Sequence, residues 1–151
     1  MAVAYVILPL MVFIICAFLA YLVLVGNWRS AVHQLFAAFL IAMGLWGLTV
    51  FGVRSSPTIS LAFVWQKAAV AFIAFTGILF CHFSLRFTNT RVSPWALRGL
   101  YGVGVAVAAL TMAGLTITGT QQRFYGYAPV LGPAFPLVLA VGYASTGGAL
   151  F

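Results

Sequence analysis

The sequence predicts an all-α fold, a polytopic membrane bundle of about five transmembrane helices. Of the 151 residues, 65% are hydrophobic and only 5% are charged, with a mean hydropathy of +1.18. A soluble domain carries about a quarter charged residues, so an aqueous globular fold is excluded. The apolar residues also form continuous runs that exceed the roughly ten residues of a barrel strand, which favours helices over a membrane barrel.

Five runs are long enough to cross a bilayer, whose core is about 30 Å thick and needs about 20 residues of helix. They predict spans over residues 3–25, 32–53, 61–85, 95–118 and 135–151. The first run has neither a basic leader nor a small-residue cleavage site, so we interpret it as a retained span and not as a signal peptide.

Basic residues in the loops indicate the orientation, because cytoplasmic loops are enriched in Lys and Arg. The cations that follow the first and third spans are Arg29, Arg86, Arg91 and Arg98. Those of the other side are Arg54 and Arg123, joined by Lys67 near the start of the third span. The bias predicts a multi-pass protein of the plasma membrane with its amino terminus outside and the lipid bilayer as a partner.

The fifth run closes with small apolar residues around Gly147 and Gly148 and carries no cationic anchor. We therefore expect residues 1–151 to form a single transmembrane domain that is a fragment of a longer protein. Any soluble domain would then lie outside this chain.

The chain contains no Asp or Glu, against seven Lys and Arg. Without carboxylates it cannot build a Ser-His-Asp triad, a general acid/base pair or an oxygen-ligand cation site. The chain also lacks the acidic residues that ion-coupled transporters usually require. The cations are scattered between apolar runs and form no stripe that would suit nucleic acid. The sequence therefore predicts neither an enzyme nor a nucleic-acid-binding protein, and it offers no catalytic residue.

Gln66 and Lys67 form the candidate ligand or lipid site of the third span, since ionisable groups in membrane helices are costly and usually functional. At about 100° per residue they share one helix face with small residues. The members of that face are Ala74, Gly77, Cys81 and Ser84. The opposite face holds Phe72, Phe75, Phe80, Phe83 and Phe87. We expect the small face to look into the bundle and the Phe face to look outward.

Lys67 has a second interpretation, in which the helix start protrudes and the side chain reaches water at the membrane surface. A buried Lys67 would instead need a counter-charge, and its own chain has no acidic residue. In that case we expect the partner to be a ligand, an anionic lipid headgroup or another subunit.

The loop between the fourth and fifth spans, residues 119–133, is the second candidate region. It combines the aromatic residues Tyr125 and Tyr127 with the rigid turn formers Pro129 and Pro133. Tyr125 and Tyr127 are interpreted either as anchors in the aromatic belt of the membrane surface or as a lid over a site between helices.

His33 and His82 are weak candidates for metal ligands, because the predicted topology puts them on the same membrane side. Together they could ligate a haem, and either alone could ligate a chlorophyll-type pigment. Each also lies close to a helix end, where an interfacial histidine simply reaches water. We expect no cofactor and no metal. Cys16 and Cys81 lack Cys-x-x-Cys spacing and are expected to be free thiols.

Small residues mark the surfaces where membrane helices approach closely. The fourth span carries two overlapping pairs of them. These pairs are Gly102 with Ala106 and Gly104 with Ala108, and Gly77 in the third span is similar. The pattern predicts tight helix contact, but it does not distinguish contacts within the chain from contacts in a homodimer or with other membrane subunits.

Short motifs along the chain resemble one family of membrane regions. They are Asn27-Trp28-Arg29, Gly44-Leu45-Trp46-Gly47-Leu48, Ser56-Pro57 leading to Trp65, the stretch from Phe80 to Thr88, Tyr125-Gly126 and Gly132-Pro133. Together they resemble the amino-terminal seven-span sensor region of bacterial and archaeal histidine kinases and related signalling proteins, over about residues 5 to 145. The resemblance implies an outside amino terminus, two further spans and a cytoplasmic output domain beyond this chain. It supplies no ligand residues.

Two functions remain open from the sequence. The first is a sensory input module, in which a ligand or the state of the membrane shifts helix packing. The second is a structural or accessory subunit of a larger membrane complex, which would hold lipid, quinone or pigment through its aromatic faces. The second would also suit a five-span relative of the family that stands alone.

Overall fold

The computed structural model describes residues 3–123 and 126–147, and it confirms the predicted all-α membrane fold. The elements in chain order are α1 Val3–Asn27, α2 Ala31–Ser55, α3 Ile59–Phe87, α4 Pro94–Met112, β1 Ile117–Arg123, β2 Gly126–Leu131 and α5 Phe135–Gly147. Helices α1 to α4 are long and apolar enough to cross a membrane. Helix α3 packs against α2, α4 and α5 and also contacts the strands, so it is the centre of the bundle.

Helix α1 packs on α2 through glycines of α2. A Cβ on Gly44 would lie 3.1 Å from the Cβ of Cys16, and one on Gly47 would lie 3.0 Å from the carbonyl oxygen of Pro9. Small residues let two backbones approach closely where no hydrophobic driving force acts between helices. The Gly-Leu-Trp-Gly segment that carries part of the family resemblance is therefore the α1–α2 contact surface.

The aromatic face of α3 does not point outward as a whole, which corrects the sequence prediction. Phe83 lies against Phe36 of α2 with ring centroids 4.9 Å apart, and Phe80 lies against Phe39 with centroids 5.5 Å apart. Phe87, near the helix end, is the exposed member. The prediction assumed one inner and one outer face, whereas a central helix with three helical neighbours uses most of its circumference for packing.

Helix α4 ends six residues earlier than the predicted span over residues 95–118. Gly114 adopts a left-handed φ of +81°, and Leu115 N–H donates to the carbonyl of Leu110 at 3.0 Å. This is the hydrogen-bonding pattern of a glycine C-cap, which terminates a helix because other residues are strained there. The chain then leaves the helix toward the first strand.

A small two-stranded sheet, which the sequence analysis did not predict, accompanies the helices of this all-α fold. Strand β1 pairs antiparallel with β2, with Thr120 opposite Pro129 and Gln122 opposite Tyr127. The segment joins α4 to α5 at the bundle end where α3 begins, and its strands overlap only the last two residues of the predicted fourth span. A two-stranded hairpin is sustained there because β1 also packs on α3, which gives the pair a surface to bury.

Helix α5 is shorter than a membrane span in the described part of the chain. Its 13 residues correspond to about 20 Å of helix, against about 30 Å for the bilayer core. The predicted fifth span over residues 135–151 is an apolar helix over Phe135–Gly147, and its last four positions, 148–151, lie outside the described residues. Val138 of α5 packs on Ala74 of α3 and Val107 of α4. Gly77 of α3 lies so close to Ser145 that a Cβ would come within 2.5 Å of its Oγ.

Candidate functional site

A cavity of about 690 Å³ runs along α3 between α2 and α5. We call it the α3 groove. Its walls are formed by Phe39 and Trp46 of α2, Ala69, Ile73 and Phe80 of α3, and Phe135, Val138 and Leu139 of α5. This volume is within the range of pockets that hold small ligands, roughly 300 to 1,000 Å³.

The lining of the α3 groove is almost entirely apolar. The Thr76 hydroxyl, a polar group of this lining, donates to the carbonyl of Phe72 in its own helix at 2.8 Å. That hydrogen bond leaves the hydroxyl satisfied without a ligand. The groove therefore suits an apolar molecule that partitions into the membrane, and it offers no built site for an ion.

Gln66 lies about one helical turn before the groove lining, at the end where α3 begins, and does not itself line the groove. It precedes Ala69 and Val70 by three and four residues, so it lies on the same helix face as these lining residues. Its side chain is only 5% exposed, and its Oε1 accepts a hydrogen bond from Thr120 Oγ1 of β1 at 2.6 Å. Within the described ranges, its Nε2 is buried and has no hydrogen-bond partner.

Lys67 faces the neighbouring helix instead of the groove. Its Nζ donates to the carbonyl of Met112 at the end of α4 at 3.0 Å and lies 4.6 Å from the ring centroid of Phe63. A cation is stabilised there because the last carbonyls of a helix carry partial negative charge. Lys67 is only half-buried, so the condition under which we expected a partner from outside the chain is not met, and that expectation stays a prediction.

The structure describes one of the two tyrosines of the predicted lid. Tyr125 lies outside the described residues. Tyr127 is half-buried on β2, opposite Gln122, and is not among the residues that line the groove. The hairpin reaches the groove through Pro129, which pairs with Thr120 and so stands next to the Gln66 contact.

The Gln66–Thr120 hydrogen bond leads to an asymmetric prediction. Thr120→Val should destabilise the protein by about 1–2 kcal/mol, because it leaves the buried Gln66 carbonyl without a donor. Gln66→Leu should cost less, because it removes the buried amide and leaves only the Thr120 hydroxyl, which is half-buried. The free energy of unfolding in detergent titrations measures both. A larger loss in Gln66→Leu would show that this hydrogen bond does not hold the hairpin on α3.

The two histidines differ in their hydrogen bonding among the described residues. His82 Nδ1 lies 3.0 Å from the hydroxyl of Tyr101 on α4, whereas His33 is half-buried near the start of α2 with its Nδ1 buried and unpartnered among the described residues. No group of three or more His, Cys, Asp or Glu side chains that could hold a metal occurs in the ranges described. Cys16 and Cys81 are buried free thiols.

The small residues of α4 divide into two faces. Gly104 is buried, and a Cβ there would meet Ile78 of α3. A Cβ added to Gly102 would have no neighbouring atom within 4 Å, and Ala106 is exposed, whereas Ala108 is half-buried. The structure therefore uses Gly104, with Gly77 of α3, for close contacts inside the chain, and it leaves Gly102 and Ala106 on the outer face.

Sequence reasoning missed most of the groove. Trp46 and Phe39 were separated from Phe135 and Val138 by about 90 positions, and no local pattern joins them. The sequence contained only an indirect indication of the groove. Helix α3 carries small and aromatic residues around its circumference, which indicates contacts with other helices on more than one side. Only the face of α3 that contains Gln66 and Gly77 was predicted.

The fold and the groove define a class of protein, a polytopic membrane bundle with an apolar cavity between its helices. Residues 8–151 match the family described as the N-terminal 7TM region of histidine kinase. The chain belongs to this family, as the resemblance of its motifs predicted, and it is therefore a membrane sensor input region and not the catalytic part of a kinase. Searches among curated proteins and among solved structures gave no match.

Proposed function

We propose that the chain senses an apolar ligand in the α3 groove and transmits its presence by moving α5 relative to α3. The observation that carries this proposal is the groove itself, because its opposite walls come from α2 and α5 while α3 forms its floor. We also propose that the chain lies in the plasma membrane, has no catalytic activity of its own and acts through an output domain or a partner subunit.

The packing of α5 supports this coupling. Val138 of α5 is buried against Ala74, and Ser145 is buried beside Gly77, so small side chains of α3 let α5 approach closely. A ligand that contacts both α2 and α5 either weakens or reinforces the packing of α5 on α3. It shifts the helix only by the difference between its affinities for the two arrangements.

The start of α5 is held more firmly than the rest. Gly132 N–H donates to the carbonyl of Thr116 at 2.9 Å, and Ala134 N–H donates to the carbonyl of Leu115 at 3.1 Å. These bonds fix the entrance to α5 on the end of α4. A displacement by a ligand would therefore be larger toward Ser145 than near Phe135.

The test fills the groove through a substitution at a residue that is only partly buried. Ala69 lines the groove and is only partly buried, so Ala69→Phe places a ring in the cavity. Ala106→Phe is the matched control, because Ala106 is exposed on α4. Spin labels are attached through Met43→Cys on α2 and Ala144→Cys on α5, both exposed, after Cys16 and Cys81 are replaced by alanine. Distances between the labels are measured in lipid nanodiscs by pulsed electron paramagnetic resonance, with and without 1-bromododecane.

The added probe should change the label distance in the wild-type background by about 2 Å or more, on the scale of helix shifts in signalling proteins. The Ala106→Phe control should respond equally, and Ala69→Phe should not respond. An equal response in Ala69→Phe would exclude the groove as the site. Binding without any distance change, detected as quenching of Trp46 fluorescence, would contradict the transmission step and favour an accessory subunit that only holds apolar molecules.

A further inference from the structure

A second cavity, of about 430 Å³, lies between the end of α3 and the start of α4, at the opposite end of the bundle from the hairpin. It is lined by His82, Arg86, Asn89, Thr90 and Arg91 on its polar side, and we call it the basic pocket. Leu85, Val92 and Leu97 form its apolar side. The cavity is thus amphipathic, and it is separate from the α3 groove.

The cations of the basic pocket lack the aromatic partners that most other cations of the chain have. Four of the other five cations each lie over an aromatic ring, at 3.9 to 5.3 Å from its centroid: Arg29, Arg54, Lys67 and Arg98. Neither Arg86 nor Arg91 has a ring, a hydrogen-bond acceptor or an ion-pair partner in the part of the chain that the structure describes. No carboxylate can supply one from within, because the chain has no Asp or Glu.

The backbone between the helices holds the two guanidinium-bearing residues near each other. Asn89 has a left-handed φ of 55°, Asn89 N–H donates to the carbonyl of Arg86, and Thr90 N–H donates to the carbonyl of Leu85 at 2.9 Å. This closed turn ends α3 within five residues of Arg91. The start of α4 follows at Pro94, which also lines the cavity, and a helix amino terminus adds partial positive charge.

His82 adds an imidazole ring to the wall. Its Nδ1 is paired with the Tyr101 hydroxyl at 3.0 Å, while its Nε2 is buried and has no partner among the described residues. When the tyrosine donates to Nδ1, Nε2 carries the hydrogen. His82 lines the same cavity as Arg86 and Arg91, and N–H donors of these kinds match the several acceptor oxygens of a phosphate.

We infer that the basic pocket binds a phosphate group, carried by the headgroup of an anionic lipid or free in solution, through Arg86 and Arg91. The apolar side formed by Leu85, Val92 and Leu97 suits the glycerol and upper acyl part of a lipid. Basic pockets between membrane helices bind phosphate headgroups on the same physical grounds. This inference does not depend on the function proposed for the α3 groove.

The experiment uses the purified chain and native mass spectrometry to count bound molecules. Phosphatidylglycerol, phosphatidylcholine and inorganic phosphate are added separately. The test variant is Arg86→Gln with Arg91→Gln, and the matched control is Arg29→Gln with Arg98→Gln, which removes the same charge at the same end of the bundle. A third variant, Arg91→Gln alone, changes an exposed residue outside the helices and so keeps the test valid if the double variant fails to fold.

Phosphatidylglycerol should bind the wild type and the control alike, and its affinity for the test variant should fall on the order of tenfold, since each basic residue near a membrane surface contributes to anionic lipid binding. Phosphatidylcholine should bind more weakly throughout. Arginine-dependent binding of inorganic phosphate alone, with no preference for the lipid, would identify a soluble phosphate as the source. Equal losses in test and control variants, or no loss in either, would overturn the inference, because the charge at that end would then act diffusely.

Discussion

Gly132→Ala is expected to destabilise the protein by about 3 kcal/mol, the upper end of the usual cost of overpacking. Gly132 lies between β2 and α5, and its Cβ would overlap the carbonyl group of Leu115. Because the obstructing atoms belong to the backbone, no side-chain rotation relieves the overlap. The strand end would have to move, which breaks the hydrogen bond from Gly132 N–H to Thr116. The free energy of unfolding in a detergent titration measures the loss.

Gly102→Ala is the matched control for this change. Gly102 lies in α4 with nothing within 4 Å of the added methyl position. Alanine there is expected to be neutral or to stabilise the helix by up to about 1 kcal/mol. Equal stability of the two variants would mean that the hairpin does not approach α4 as closely as the structure has it.

Gly52→Ala is expected to cost about 2 kcal/mol, because the added methyl would meet the indole ring of Trp65. Gly52 is buried on α2, and Trp65 reaches it from the first turns of α3. The obstructing group is the large indole ring of Trp65, which lies between α2 and α3. The ring cannot turn away as a long flexible side chain would.

The pair can be tested by a double-mutant cycle. Trp65→Leu alone should destabilise the protein, since it removes contacts between α2 and α3. Combined with Gly52→Ala, it should destabilise less than the sum of the single changes, by about 1–2 kcal/mol, because the smaller side chain leaves room for the methyl. Strict additivity in the same detergent titration would mean that the two residues are not in contact.

Part of the site could be predicted because it depends on one helix alone. The face of α3 with Gln66, Ala74 and Cys81 follows from helical periodicity, and these three residues are buried in the structure. The partner of Lys67 could not be predicted, because the chain has no acidic residue and the sequence does not show which carbonyl groups lie near the side chain. The partner is instead a backbone carbonyl. Within a helix, only the carbonyl groups of the last turn are free to accept a hydrogen bond from outside the helix.

The end of α4 shows a signal that was present in the sequence. Gly114 stands four residues before the predicted end of the span, and glycine is a common residue at helix ends. The predicted span extends beyond Gly114 because it was based on hydrophobicity alone, and Leu115 and Ile117 continue the apolar run. The hairpin that follows was not predicted for a different reason. Strand β1 is short, and one of its sides becomes buried only because the strand packs against α3.

The class of protein, the first three spans and the absence of carboxylate chemistry follow from the sequence alone. They depend on local properties: hydrophobicity over about 20 residues has one stable outcome in a bilayer, and a missing residue type cannot be supplied by folding. The α3 groove, the neighbours of each Phe of α3 and the pairing of Gln66 with Thr120 follow only from the tertiary structure. These depend on which helix faces meet. Between apolar helices in lipid, that choice depends on close packing and a few polar contacts and not on hydrophobicity.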